Sequence, residues 1–349
     1  MKHSPREQSQ GTAGALPNRM ASPAYELATC QVCDSAEATE LAGPDDVRAE
    51  IEALWEFHTS RLAPDTPAER LVDRVAFSQQ PPLRVVRCDR CGLVYRNPQE
   101  RAFEWTAVYR DEEIDAETLE ALYETQRRAY RAQAERLTSV FGRSGGGLEV
   151  GSYVGAFLAA ARDVGWTFEG VDVNARAAEM TRARGFHVTL GGLSDVPRDK
   201  RFDAVAIWNC FDQLPDSKAT ALAARAHLRD GGILAIRVPN GGFYATVRKA
   251  LETPAGAVAR ALLAHNNLLG FPYRYGFTPD SLSYLLDKMG FDIVQTHGDA
   301  LVPIADEWTR GWAAVEERAL KAILRTLGKG KVEGAPWFEI YARARRPAA

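Results

Sequence analysis

Net charge is nearly absent from this chain: 43 Lys and Arg stand against 46 Asp and Glu, a formal −3 over 349 residues. That balance argues against nucleic acid as the partner of a dominant basic face. Long apolar runs are missing too, and none approaches the roughly 20 residues that span a bilayer. The first 29 residues carry no apolar stretch of signal-peptide type. They are rich in Ser, Pro, Gly and Gln, which predicts a disordered tail and a cytoplasmic protein. What remains, 46% hydrophobic residues, suffices for one sizeable core plus a smaller module.

Cysteine is scarce at five, yet four of the five stand in two pairs, Cys30-Gln-Val-Cys33 and Cys88-Asp-Arg-Cys91. Without a secretion signal, paired C-x-x-C units favour tetrahedral zinc over disulfides. Each unit can turn as a knuckle whose backbone N–H groups face the thiolates. Gly92, after Cys91, suits such a turn, whereas Asp34, after Cys33, suits it less. The 54 residues between the pairs exceed the usual ribbon spacing, so two unrelated pairs of reduced cysteines stay open as the alternative. A redox dithiol fits poorly, since neither pair opens a helix of a βαβ unit.

The insert between the pairs reads as helical. Asp45 and Asp46 can cap a helix with Val47, Ile51, Leu54 and Trp55 on one face, and His58 reads as a surface residue of it. Thr66-Pro67-Ala68-Glu69 is a capping box for a second helix through Leu71, Val72, Val75 and Phe77. After Pro81-Pro82, Leu83 to Arg87 reads as a strand. Residues 101–141 form a helical bridge with an aromatic stripe, mostly for packing, with Tyr109 or Tyr123 as the members that could cover a ligand.

From Gly147 onward, strands and helices alternate as a doubly wound sheet requires. Leu148-Glu-Val-Gly151 is the first strand, followed by a glycine turn to Gly155, a helix, and a second strand ending at Asp172, 21 positions after Gly151. That order marks a nucleotide-type cofactor site at the carboxyl edge of a parallel sheet. Further strands follow at 186–190, 202–208, 232–238 and 291–296, a helical segment at 306–327, and a closing strand at 337–343 that is expected antiparallel.

Several ordered segments carry a resemblance. They are Cys88-x-x-Cys-Gly-Leu-Val-Tyr-x-Asn-Pro98, the glycine loop, Gly192-Leu-Ser-Asp195, Trp208-Asn-x-x-Asp-Gln-Leu-Pro215, Leu228-Arg-Asp-Gly-Gly232 and Tyr273-x-Tyr-Gly-Phe-Thr-Pro-Asp280. Over about residues 88–345 the chain resembles the class I S-adenosylmethionine-dependent methyltransferases that carry an N-terminal zinc ribbon. The resemblance implies an α/β, Rossmann-like sheet of seven strands, the last antiparallel. It divides the chain into a tail (1–29), a zinc-ribbon module with helical insert (30–100), a helical bridge or lid (101–141) and an S-adenosylmethionine-binding domain (142–349). It also implies structural zinc at Cys30, Cys33, Cys88 and Cys91. Glu149 would orient the loop and reach the methionine ammonium. Gly151, Tyr153 and Gly155 would lie against the cofactor and Asp172 would bind the ribose. Leu193 and Ser194 would contact adenine, and Asn209 would face the transferring methyl.

The chain also departs from that pattern. Tyr153 stands where relatives have a loop glycine, and a non-glycine residue resists positive φ. Asp212-Gln213 replaces a common Glu-His, and histidines are missing at Tyr273 and Gly276. Among Tyr273, Tyr275, His265 and Asp212, we take Tyr273 and His265 as catalytic candidates, with His187 and His227 as scaffold. The expected activity is methyl transfer to a small-molecule acceptor, a sugar or secondary metabolite. Two rivals remain: a ribbon that docks a partner beside a non-catalytic Rossmann unit, favoured by Arg84, Arg87, Arg90 and Arg96, and a nicotinamide-dependent oxidoreductase. The Gly151-x-x-x-Gly155 spacing leaves little room for the latter's pyrophosphate.

Overall fold

The structure, a computed structural model, describes residues 25–66, 84–100, 110, 116–268, 274–303, 308–328 and 331–346. Seven strands form the central sheet: β6 (Gly146–Val150), β7 (Thr167–Asp172), β8 (Val188–Leu190), β9 (Phe202–Trp208), β10 (Leu228–Pro239), β12 (Phe291–Asp299) and β13 (Trp337–Ala344). Their order is β12-β13-β10-β9-β6-β7-β8. The neighbours from β10 to β8 run parallel, while β13 runs antiparallel to both β10 and β12. β9 is buried along its whole length, as a strand covered on both faces must be. Helices α2 (Ala116–Phe141) and α3 (Ala156–Asp163) cover one face together, joined through Leu119, Tyr123, Ala134, Leu137, Phe157 and Leu158. The chain also forms α4 (Ala175–Ala183) and α5 (Ser217–His227), then α6 (Gly241–Arg248), α7 (Gly256–His265), α8 (Pro279–Lys288) and α9 (Gly311–Gly328).

A second sheet of four strands, in the order β11-β4-β3-β2, carries the cysteines. It contains β2 (Ala38–Ala42), β3 (Arg84–Cys88) and β4 (Val94–Asn97), all antiparallel. Its fourth strand, β11 (Tyr275–Gly276), comes from far downstream and pairs Tyr275 with Tyr95 and Gly276 with Val94. Cys30, Val32, Val86 and Leu93 share one buried cluster with Phe211, Phe277 and Leu282. The cysteine module therefore joins the core of the large sheet. Gln31 accepts from Ser217 Oγ at 2.6 Å and from Ser217 N at 3.1 Å, and Lys218 pairs with Asp34 at 2.7 Å. Tyr25 and Glu26 (β1) pair with Gln99 and Glu100 (β5), so these two residues of the segment expected as tail form a strand.

Some local expectations need correction. Helix α1 (Pro44–Thr59) is capped by Gly43 with Pro44 at its first position, and Asp46 reaches back to accept from Gly43 N at 2.9 Å. His58 is buried at 5% exposure, edge-on to Phe57, not on the surface. In α9 the apolar Trp312 and Val315 are more than half exposed, while Glu317 and Lys321 are buried. The second insert helix, from Pro67 on, and Tyr109 fall outside the described residues.

Candidate functional site

The strand order reverses between β6 and β9, and the crevice beyond their carboxyl ends is where doubly wound sheets bind ligands. The loop after β6 enters it. Gly155 has φ +74, and a Cβ there would lie 2.5 Å from Thr181 Cγ2, so only glycine fits. Tyr153 sits at φ +44 in the left-handed region, at a strain of about 1 kcal/mol. Its amide donates to Asp172 Oδ2 at 2.7 Å, and its carbonyl accepts from Thr181 Oγ1 at 2.9 Å. The loop thus keeps a glycine-type conformation, and the bonds to Asp172 and Thr181 hold Tyr153 in it.

Asp172 ends β7 buried, with Oδ1 accepting from Asn174 N at 2.9 Å. Burial pushes its carboxyl up, against the pull of the backbone N–H donors. Glu149, inside β6, is 3% exposed, and its Oε2 is buried without a hydrogen-bond partner. Burial, and then the charge of Asp172, push it well above the usual carboxylate range. It makes no hydrogen bond to the glycine loop among the described residues; Asp172 does that work. Asp212 is also buried with Oδ1 unpartnered, and burial pushes it up to about 8. The Cys210 thiol is pushed well up by burial and by Asp212, Asp172 and Glu149. Among the described residues no Lys or Arg pairs with these three acids. A cluster of buried acids without counter-ions selects for a cationic ligand.

The raised Asp212 has a measurable consequence. Between about pH 4, where the unfolded carboxyl ionises, and about 8, the unfolded chain releases a proton that the native state keeps, so stability falls as pH rises. Asp212→Asn should remove this penalty and raise ligand-free stability at pH 7 by about 4 kcal/mol, with the gain vanishing near pH 4. Urea denaturation at the two pH values checks it.

Asn209 follows β9 at φ +58. Its side chain is committed: Oδ1 accepts from Arg237 Nη1 at 2.6 Å, and Nδ2 donates to the Tyr130 hydroxyl at 3.1 Å. Leu193 is buried and Ser194 exposed, on a short turn beyond β8 tied to Asp172 by Gly191 N at 2.8 Å from the Asp172 carbonyl. Glu149, Gly151, Tyr153, Gly155, Asp172 and Asn209 therefore converge on one crevice, with Leu193 and Ser194 on its rim.

The catalytic candidates do not converge there. His265 ends α7 in contact with Phe57, ring centroids 4.8 Å apart, and 3.9 Å from Glu316. Burial lowers its pKa. No described interaction links it to the glycine loop. Tyr273 lies outside the described residues. The Tyr275 hydroxyl donates to Gln99 Oε1 at 3.1 Å, and its amide donates to the Asp212 carbonyl, also at 3.1 Å. His227 Nδ1 lies 3.3 Å from the Lys200 carbonyl, and the exposed His187 pairs with Glu169 at 3.1 Å.

Sequence reasoning missed Tyr130 and Arg237 as site residues. Arg237 interrupts an otherwise apolar strand, and a cation there demands buried partners. That was the available signal. The partners are Asp299, 2.9 Å away, the Ala300 carbonyl and Asn209.

The four paired cysteines form the second centre. Their sulfurs all lie within 4.8 Å of one another, with Cys30 3.4 Å from Cys91 and Cys33 3.5 Å from Cys88. A zinc tetrathiolate with Zn–S near 2.3 Å needs sulfurs about 3.8 Å apart. Both knuckles have the same turn: Asp34 N donates to the Cys30 carbonyl at 2.8 Å, and Gly92 N to that of Cys88 at 3.0 Å. Asp34 takes φ +60 where Gly92 takes +77, so the aspartate fills the glycine's role.

With fold and site in view, the class is a Rossmann-type methyltransferase. Residues 123–296 match the family model described as a methyltransferase domain. The chain belongs to the S-adenosylmethionine-dependent methyltransferases and is an enzyme of that kind. No curated protein matches the sequence. Similar solved structures include an S-adenosylmethionine-dependent methyltransferase from Thermotoga maritima, 18% identical over 69% of this chain and 99% of that one, with a TM-score of 0.44. One from Archaeoglobus fulgidus is 17% identical over 66% and 100%, at 0.42. A glycopeptide N-methyltransferase complexed with S-adenosylmethionine is 15% identical over 62% and 94%, at 0.40.

Proposed function

We propose that the protein transfers the S-adenosylmethionine methyl group to a small-molecule acceptor, a sugar or secondary metabolite, beside a structural zinc centre. The observation that carries this reading is the group of buried acids, Glu149, Asp172 and Asp212, around a left-handed loop, with no Lys or Arg paired to them among the described residues. The cofactor supplies a methyl on a sulfonium leaving group, so the protein's task is chiefly alignment, for which orientation contributes roughly 7–11 kcal/mol. Asp172 fixes the loop and offers its remaining lone pairs to the ribose diol. Glu149, buried with an unpartnered Oε2, would receive the methionine ammonium. The 209–217 loop forms the acceptor wall, with Asp212 as the group able to take a proton from an acceptor hydroxyl or carbon acid.

The ribbon supports that wall rather than standing apart from it. Tyr275 in its fourth strand holds the Asp212 carbonyl, and Gln31 holds Ser217. Cys30, Cys33, Cys88 and Cys91 would bind zinc in a closed tetrahedral site with no open position, which fits a structural metal. Among the described residues no helix is long and apolar enough to cross a membrane. A screen with isotope-labelled S-adenosylmethionine and a metabolite panel, read by mass spectrometry, tests the reading. Labelled product from a sugar or secondary metabolite supports it, and label found only on protein or nucleic acid refutes the acceptor class.

A further inference from the structure

We propose that Tyr130, on the helix preceding the methyltransferase sheet, anchors the cofactor by donating its phenolic proton to the methionine carboxylate. This rests on the S-adenosylmethionine reading of the crevice and adds a residue from outside the glycine loop. A hydrogen-bond chain that starts at the buried Arg237 carries the inference. Asp299 Oδ2 lies 2.9 Å from Arg237, Arg237 Nη1 donates to Asn209 Oδ1 at 2.6 Å, and Asn209 Nδ2 donates to the Tyr130 hydroxyl at 3.1 Å. The polarity of this chain is fixed at its source, because a guanidinium only donates. Arg237 therefore sets the Asn209 amide, which must present its NH2 to Tyr130. The phenol oxygen receives a hydrogen bond, and its own proton meets no acceptor among the described residues.

The position of that proton names its target. Asn209 directly follows β9 where that strand runs beside Glu149 and Val150 of β6, so its bond to the Tyr130 hydroxyl brings the phenol to that edge, and Glu149 and Arg237 both act on it. Tyr130 thus meets the crevice at the Glu149 end. The cofactor's amino-acid group belongs at that end, its ammonium beside Glu149. A neutral donor there, near the positive Arg237, matches the one anionic group on the cofactor. Burial pushes the phenol further up, so it stays a donor throughout the neutral range.

The helix that carries Tyr130 is fixed to the sheet. Gln133 donates to Glu339 Oε1 at 2.9 Å, and Arg136 to Glu339 Oε2 at 2.7 Å. The Tyr130 ring meets Phe157 edge-on, centroids 5.8 Å apart. A donor held at both ring and hydroxyl loses little entropy when a ligand arrives, and such preorganisation strengthens binding.

Calorimetry with two ligands tests the proposal. S-adenosylhomocysteine carries the amino-acid group, while 5′-methylthioadenosine lacks it. Tyr130→Phe should weaken S-adenosylhomocysteine about tenfold or more, as loss of a hydrogen bond to a charged group does, and leave 5′-methylthioadenosine unchanged. Asn209→Ala should reproduce that selective loss. Equal weakening of both ligands by Tyr130→Phe, or of neither, overturns the proposal. If the wild-type protein binds neither ligand, the S-adenosylmethionine reading itself falls.

Discussion

Cys88→Ser should empty the proposed zinc centre and unfold the ribbon, with a loss comparable to the protein's whole stability. A structural zinc contributes on the order of 10 kcal/mol, and a domain is stable by roughly 5–15 kcal/mol. The physical reason is geometric. Four sulfurs within 4.8 Å of one another tie the Cys30 knuckle to the Cys88 knuckle, across an insert of more than fifty residues. Without the metal, the four thiols have only weak mutual hydrogen bonds to hold that closure. Metal content should fall from one zinc per chain to none. Hydrogen exchange should then accelerate across Arg84–Asn97 and at Tyr275–Gly276, the strand that completes the ribbon sheet. Dialysis of the wild type against a chelator should produce the same exchange pattern. A Cys88→Ser protein that retains one zinc and its melting curve would overturn the four-cysteine site.

The second large effect is expected at Asp172. This side chain serves the glycine loop through Tyr153 N and the next helix through Asn174 N, as well as the proposed ribose contact. Asp172→Ala removes the acceptor that two backbone donors use, Tyr153 N in the strained loop among them. Affinity for S-adenosylhomocysteine should drop at least about 100-fold, or about 3 kcal/mol. Asp172→Asn keeps one acceptor and should fall between the two. Isothermal titration checks both, and an unchanged affinity in the alanine variant would falsify the assignment of Asp172 to the site.

The two centres differ in how far a linear reading reached them. The parallel strands were legible because burial on both faces writes continuous apolar runs, as in Phe202–Trp208, and Asp172 stood out as a carboxylate closing such a run. The cysteine pairs were legible because short C-x-x-C spacing suits a knuckle. Tyr153 was legible as an anomaly, but its outcome depended on Thr181 and Asp172, distant in sequence. Asn209 was legible as the residue that follows β9, but its amide bonds to Arg237 and Tyr130, both distant in sequence, were not. In helix α9 polarity does not mark the inner face: a Lys321–Glu317 pair is buried, while Trp312 faces solvent. His58 reversed for a similar reason, since packing against Phe57 outweighs its polarity. Periodicity records which residues could be buried, and tertiary partners decide which are.

The borrowed strand of the ribbon imposes an order of assembly. Gln99 and Tyr275, hydrogen-bonded in the finished protein, are separated by 176 residues. During synthesis the cysteine knuckles leave the ribosome long before their closing strand exists. At roughly 5–20 residues per second, the nascent ribbon waits on the order of ten seconds with one edge open. Metal capture can precede completion of that sheet, but the edge closes only after most of the methyltransferase sheet has emerged. A chain truncated before Tyr275 would therefore expose an unpaired β4 edge to other chains. The Asp212 carbonyl gains its partner, the Tyr275 amide, only when that same strand arrives.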